Sequence, residues 1–280
     1  MNLLDGKTAV ITGSSRGLGF AIAQAFASEG ANVILAARNE QTLIKSVNQL
    51  RSQGYKAEYF VCDASNAAEI DQLAQKAVDV FGGLDIWVNN AGISAPYGPT
   101  LAIAPDYFKK VVDTNILGVY NGSRSAMQRF VAQGHGKLIN LLGRGAQGPV
   151  AYQAAYASSK TWVKNFTQAL AKEYSKSGVE VMAFNPGLVI TDMLTQVDVA
   201  KGYEEMVLPL NTVIRFWGNY PEIPAKKVLW MASAATDGKN GLSVSFMTPG
   251  RMLAGLFKEV WRKVSGKKSG IPPITIHTVE

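Results

Sequence analysis

The residues best placed to do chemistry in this 280-residue chain are Tyr156 and Lys160, within Tyr156-Ala157-Ser158-Ser159-Lys160. A spacing of four puts them on one face of a helix. A phenol near pKa 10 exchanges protons poorly at neutral pH. A neighbouring ammonium favours the phenolate and pulls that value down, so the pair makes a workable general acid and base. Tyr-x3-Lys alone is a weak motif, and an exposed surface pair would look the same.

A second candidate is the turn Thr12-Gly13-Ser14-Ser15-Arg16-Gly17-Leu18-Gly19. It lies between an apolar strand-like run and a helical one. Glycines at 13, 17 and 19 permit a tight turn and let main-chain N–H groups approach a pyrophosphate at a helix N-terminus. The spacing is Gly-x3-Gly-x-Gly rather than G-x-G-x-x-G. The next strand ends at Ala36-Ala37-Arg38. An acidic residue there would accept bonds from a free ribose 2′-hydroxyl, but Ala37 leaves that role empty. Arg38 and Arg16 instead supply two guanidiniums suited to a 2′-phosphate. The expected cofactor is therefore NADP(H) rather than NAD(H); two solvated surface arginines are the plain alternative.

These residues need a scaffold, and the chain writes one as strand then helix, repeated. Apolar strands are expected at 8–12, 32–36, 57–61, 84–88, 137–141, 179–184 and 242–246. Helices are expected from the glycine turn to about 29, then over 40–53, after 61 through Ile70, Leu73, Ala77 and Val80, over 105–133 and over 154–177. The expected fold is α/β, a three-layer Rossmann fold with a doubly wound parallel sheet of about seven strands and helices on both faces. Residues 1–250 read as one domain with a substrate lid over about 192–220, and 251–280 as a basic amphipathic extension.

In that order the motifs resemble the short-chain dehydrogenase/reductase family. The pieces are TGSSRGLG at 12–19, Asp63 after the third strand, Asn89-Asn90-Ala91-Gly92 after the fourth, Asn115, Tyr156 with Lys160, and Pro186-Gly187-Leu188-Val189-Ile190-Thr191 after the sixth. They agree in order and spacing over roughly residues 5–245. The resemblance implies an NADP(H)-dependent oxidoreductase acting on a carbonyl or alcohol, in a homodimer or homotetramer. It implies that Gly13, Ser15, Arg16, Gly17, Leu18, Gly19, Arg38, Asp63, Ala64, Asn90, Ala91, Gly92, Pro186, Gly187 and Val189 hold the cofactor. Asp63 would meet the adenine edge and Thr191 the carboxamide. Lys160 would hold the nicotinamide ribose and tune Tyr156, Asn115 would position a water behind Lys160, and Tyr156 would pass a proton to the carbonyl oxygen.

One position departs from the pattern. The family's serine, thirteen residues before the tyrosine, is Gly143 here, and no serine or threonine occurs from 137 to 153. Either water, a backbone N–H or a side chain such as Gln147, Gln153 or Tyr152 fills the gap, or Gly143 and Gly145 make room for a bulky substrate. A third reading is a non-catalytic NADP(H)-binding protein that has lost the chemistry. Met193, Leu194 and further apolar residues to Trp217 suggest a hydrophobic substrate on the lid side.

Composition bounds the rest. The single cysteine, Cys62, excludes an intrachain disulfide. Net charge is +7, of which +4 falls in 251–280 (Arg251, Lys258, Arg262, Lys263, Lys267 and Lys268 against Glu259 and Glu280). The body is only mildly basic, which gives no case for nucleic acid. No signal peptide, membrane span or metal is expected, and the expected location is cytoplasmic. Met252, Leu253, Leu256, Phe257, Val260, Trp261 and Val264 recur at helical spacing among the tail's basic residues. Such a helix either packs on the body or a second subunit, or rests residues 251–268 on an anionic membrane surface. Tail, lid and missing serine together are loosely similar to the chlorophyll b reductase branch of the family, which again suggests a bulky substrate.

Overall fold

The computed structural model describes residues 2–265, 270–271 and 273–280. Its centre is a seven-stranded, all-parallel sheet. In chain order the strands are β1 Thr8–Thr12, β2 Asn32–Ala37, β3 Ala57–Val61, β4 Ile86–Asn89, β5 Gly136–Leu141, β6 Val179–Asn185 and Ser243–Ser245. The spatial order is β3-β2-β1-β4-β5-β6 followed by the Ser243–Ser245 strand. The order reverses between β1 and β4, and a crevice at the carboxyl ends of strands at such a reversal is where ligands bind in open α/β sheets.

Side chains alternate across the sheet, so each strand feeds two cores. On one face Ile11, Val33, Leu35, Ile139 and Met182 pack with Phe26 of α1 (Gly17–Ala27). On the other Val10, Ile34, Trp87, Leu138 and Val181 pack with Leu73 of α3 (Ala67–Phe81). Full burial of one such side chain contributes roughly 1.5–3 kcal/mol. Two apolar faces explain why these strands read as continuous apolar runs. Helix α2 (Glu40–Arg51) is capped by Asn39, whose side chain accepts from Thr42 N–H at 2.9 Å. Asn66 caps α3 in the same way, accepting from Ala68 N–H at 3.1 Å.

The single long helix expected over 105–133 is three pieces: α4 (Pro105–Val111), a π-helical segment (Val112–Leu117) and α5 (Gly118–Gln133). The widened turn holds Asn115, which is fully buried. Helix α6 (Ala154–Glu173) follows β5 and carries Tyr156 and Lys160.

The region after β6 is more structured than an apolar lid. A short helix α7 (Asp192–Thr195) leads into β7 (Gln196–Ala200), then α8 (Leu210–Trp217) and α9 (Glu222–Ala232). The sheet's last strand, Ser243–Ser245, is β8, after which come α10 (Pro249–Val264) and β9 (Thr275–Val279). Strand β9 returns to pair in parallel with β7 as a second, two-stranded sheet. Strand β9 thus staples the segment after β6, and Ile274 joins Val197, Val199, Leu210 and Ile214 in a separate apolar cluster.

Helix α10 packs on α8 along Gly255 and Glu259. A side chain at Gly255 would meet Trp217 Cδ1 at 2.7 Å, and Glu259 is 3% exposed between Arg215 and Arg262. Its outer stripe faces solvent, with Phe257 73% and Trp261 72% exposed. Lys267 and Lys268 lie outside the described residues, as do the side chains of Lys258, Val260 and Lys263. Among the described residues no helix is long and apolar enough to cross a membrane, and no cluster of His, Cys, Asp and Glu could hold a metal.

Candidate active site

The glycine turn sits at the carboxyl end of β1 and is built by close contacts that only glycine allows. Gly13 has φ +63°, and a Cβ there would stand 2.7 Å from Ala91 Cα; a Cβ on Gly19 would run into the Gly13 carbonyl. Ser14 Oγ accepts from Ala36 N–H at 3.0 Å and donates to the Ile11 carbonyl at 2.6 Å, locking the turn to β1 and β2. The Ser15 carbonyl accepts from Ser46 Oγ at 2.8 Å. Unlike α2 and α3, α1 begins with no side-chain cap: Arg16 occupies that position in extended backbone. Its first turn therefore presents N–H groups to the crevice, which fits a diphosphate there.

The loop after β4 is latched onto this turn. Asn90 Nδ2 donates to the Thr12 and Gly13 carbonyls at 2.9 and 3.0 Å, and Thr12 Oγ1 accepts from the N–H groups of Asn90 and Ala91. Asn89 is structural: it is buried, accepts from Trp87 Nε1 at 2.7 Å and donates to Asn140 Oδ1 at 2.8 Å.

A cleft of about 510 Å³ opens beside the turn. Gly13, Arg16, Gly17, Leu18, Gly19, Asn90, Ala91, Gly92, Pro186, Gly187, Val189 and Thr191 line one part of its wall. Gly143, Gln153, Tyr156, Lys160 and Met193 line the far end. Thr191 stands over the turn, with its Cγ2 3.2 Å from where a Gly17 Cβ would be. Ser15, Ala64 and Asn115 back this cleft rather than line it, and Gln147 is exposed on the loop beyond.

Arg38 and Asp63 come together at the ends of β2 and β3, 3.9 Å apart. Burial works against the Asp63 carboxylate, but bonds from Ser65 N–H and Oγ and the Arg38 charge outweigh it and hold its pKa below the usual range. Arg16 does not join Arg38. Its guanidinium crosses the crevice mouth to Asp192 at 2.9 Å, tying the turn to the start of the lid.

At the far end Lys160 is 4% exposed and donates to the Leu141 carbonyl at 3.2 Å. Gly92 lies between Asn115 Oδ1 and Lys160 Nζ, 3.4 and 3.5 Å from its would-be Cβ. Asn115 Oδ1 accepts from Ile93 N–H at 2.8 Å, while Nδ2 donates to the Ile93 carbonyl and to Ser159 Oγ. Its side chain therefore clamps the loop after β4 to α6.

The proton balance differs from the sequence expectation. Burial pushes the Tyr156 hydroxyl up to about 12, with Tyr97 adding to the rise, and lowers Lys160 to about 8. Lys160 Nζ lies 5.7 Å from the Tyr156 ring centroid, so desolvation outweighs the ammonium's pull. Both shifts favour the uncharged forms of the pair.

Lys160 carries a stability cost with a definite sign. Its folded value is below the ordinary 10.5, so the fold is burdened by the charge below about pH 8 and relieved of it as pH rises. Lys160→Met is expected to melt higher than wild type at pH 7, by about 1–3 kcal/mol in stability, with the gap narrowing above pH 8. Thermal melts from pH 6 to 10 check this; a wild type that melts higher than the variant at pH 7 contradicts it.

The two glycines of the β5–α6 loop do not make room for substrate. A side chain on Gly145 (φ +102°) would run into the Ala157 backbone, so this glycine lets the loop lie on α6. A Cβ on Gly143 would overlap the Tyr156 hydroxyl. The space above Gly143 is thus filled by Tyr156 itself.

The geometry agrees with comparison to known proteins. Residues 7–201 match the family model described as short chain dehydrogenase. The chain belongs to the short-chain dehydrogenase/reductase family. A 3beta-hydroxysteroid dehydrogenase 1 of Eggerthella lenta is 35% identical over 235 residues, 82% of this chain and 88% of that protein. The structure of a 3-ketoacyl-(acyl-carrier-protein) reductase from Brucella melitensis, complexed with NADH, superposes with a TM-score of 0.79 at 28% identity, covering 89% of this chain and 99% of that one. A gluconate 5-dehydrogenase from Burkholderia cenocepacia, in complex with NADP and tartrate, gives 0.77 at 26%, covering 90% and 96%. As a family member the chain is an oxidoreductase of the carbonyl/alcohol type.

Sequence reasoning missed Tyr97. It lines the same cleft as Gly143, Arg144 and Gln153, and the last two lie near enough to favour charge on its oxygen. No motif marks it, because its partners lie about fifty residues away in sequence.

Proposed function

We propose that the chain is an NADPH-dependent reductase of a ketone or aldehyde carried on a bulky, largely apolar body. The observation that carries this is the meeting of Tyr156, Lys160 and the Asn115-clamped Gly92 loop at one end of a cleft whose other end is a glycine turn before an uncapped helix. The nucleotide, when bound, supplies the hydride. The turn's N–H groups and the α1 N-terminus would hold its diphosphate, and Thr191 its amide end. Tyr156 gives its hydroxyl proton to the carbonyl oxygen as negative charge develops there. Lys160, cationic below about pH 8, stabilises the phenolate left behind, so reduction slows as pH rises through that value. Leu142, Leu188, Ile190, Leu194 and Leu210 line the substrate end and favour an apolar body.

Arg38 supports NADPH over NADH. Its guanidinium stands at the end of β2, where a 2′-phosphate would lie, and Asp63 beside it orients it. Arg38→Ala is expected to weaken NADPH binding roughly 10–100-fold, the worth of a charge-assisted bond, while changing NADH binding little. Fluorescence titration of both nucleotides, followed by NADPH oxidation with a 3-ketosteroid, ethyl acetoacetate and 5-ketogluconate, tests the proposal. Tight NADPH binding with turnover of the first two is expected. Binding without turnover of any ketone would favour a cofactor-binding protein without chemistry, a reading that the glycine at 143 supports.

The assembly we propose is a homodimer or homotetramer. Tyr120 of α5 lies half exposed beside Phe166 of α6, which stacks on Trp162 at 4.7 Å, an aromatic face suited to another subunit.

A further inference from the structure

A carbonyl under hydride attack gains from a second donor beside the acid, and Gly143 cannot provide one. Another residue of the same cleft can. Tyr97 is fixed there by its backbone, which donates to the Asp198 carbonyl and accepts from Ala200 N–H, both at 2.8 Å, so it runs as an extra bridge beside β7. Its ring packs against the cluster of Val197, Val199 and Leu210. It lines the same cleft as Tyr156, Lys160 and Gly143. It is also close enough that charge on Tyr97 raises Tyr156.

A tyrosine hydroxyl has two acceptor sites and one proton. The side chains of Arg144 and Gln153 line the cleft with Tyr97, and both favour charge on its oxygen. Arg144 can only donate, so toward it the Tyr97 oxygen accepts and keeps its proton for an acceptor in the cleft. Burial also lifts Tyr97 above the ordinary tyrosine range despite these two neighbours, so the proton stays on the oxygen. The positive charge of Arg144 nearby makes the O–H a stronger donor.

We infer that Tyr97 donates the second hydrogen bond to the substrate's carbonyl oxygen, across the cleft from Tyr156, in the role that a serine at 143 would fill. This rests on the reductase reading above. Arg144 and Gln153 act through Tyr97 as positioning residues. The lid takes part as well, because β7 and its pairing with β9 hold the Tyr97 backbone at a fixed distance from α6. Specificity follows: the carbonyl must reach between two phenols, with its apolar body lying toward Ile190, Met193 and Leu210.

The test compares wild type, Tyr97→Phe and Tyr156→Phe in NADPH oxidation with a 3-ketosteroid and with ethyl acetoacetate, alongside NADPH affinity by fluorescence and melting temperature. Loss of one such donor costs about 10²–10³-fold in kcat. Tyr97→Phe is expected to show that loss with KM changed less than about threefold and with NADPH affinity and melting temperature unchanged. Arg144→Leu is expected to show a smaller loss of kcat that disappears in the Tyr97→Phe background, which a merely structural arginine would not do. Turnover by wild type, lost in Tyr156→Phe but kept within twofold in Tyr97→Phe, would overturn this inference and leave the reductase reading intact. No turnover by wild type of either ketone would overturn both.

Discussion

Tyr156→Phe is expected to lower the rate of ketone reduction by about 10²–10⁴-fold, the usual contribution of a positioned general acid, while leaving NADPH affinity within a few-fold of wild type. The two effects separate because the nucleotide rests on other parts: the glycine turn, the uncapped α1 N-terminus and the wall around Thr191. The Tyr156 ring stays in place as Phe, so Gly143 and Lys160 keep their packing. Removal of the hydroxyl relieves a buried polar group, and the variant should melt no lower than wild type. The measurements are steady-state kcat and KM, nucleotide titration and a thermal melt on the same preparations. Equal loss of binding and turnover would mean that the hydroxyl supports the nucleotide site rather than the proton transfer.

The second large effect is at Gly143. Restoring the family's serine looks, on paper, like a gain of a donor. The structure predicts the opposite. A Cβ at 143 overlaps the Tyr156 hydroxyl, so Gly143→Ser must push the tyrosine off its position. Displacement of a reacting group by about 1 Å can cost 10²-fold, and a loss of roughly that size in kcat is expected, with NADPH binding unchanged. Gly143→Ala separates sterics from chemistry, because it brings the Cβ without the hydroxyl. Similar losses in both variants support the steric account. A Gly143→Ser enzyme faster than wild type would mean that Tyr156 moves aside freely and that the missing donor limits the rate.

The sheet and its turn were readable because their signals are local. Continuous apolar runs such as Thr8–Thr12 and Asn32–Ala37 mark strands buried on both faces, and the glycines at 13, 17 and 19 mark the turn between strand and helix. The π-helical segment was not readable: its apolar spacing continues that of α4 and α5, and only the three-dimensional clamp from Asn115 to Ile93 and Ser159 reveals the change. The β7–β9 pair was hidden for another reason. Val197 and Val199 alternate as a strand would, but the partner strand lies about 75 residues on, and a five-residue alternation is also compatible with a helical lid. The count from Tyr156 back to Gly143 finds no hydroxyl there, yet could not say that Tyr156 fills the space or that Tyr97, Arg144 and Gln153 line the same cleft. The spacing of Tyr156 and Lys160 in sequence says nothing of burial, which shifts both groups.

The central claim is that this chain moves a hydride onto a carbonyl while Tyr156 supplies the proton. The most direct measurement is mass spectrometry of the alcohol formed from a 3-ketosteroid with NADPH carrying deuterium at the transferable C4 position, for wild type and Tyr156→Phe. The account predicts one deuterium on the carbinol carbon with wild type and almost no alcohol with the variant. Alcohol without deuterium, or equal labelled alcohol from the two proteins, would contradict it.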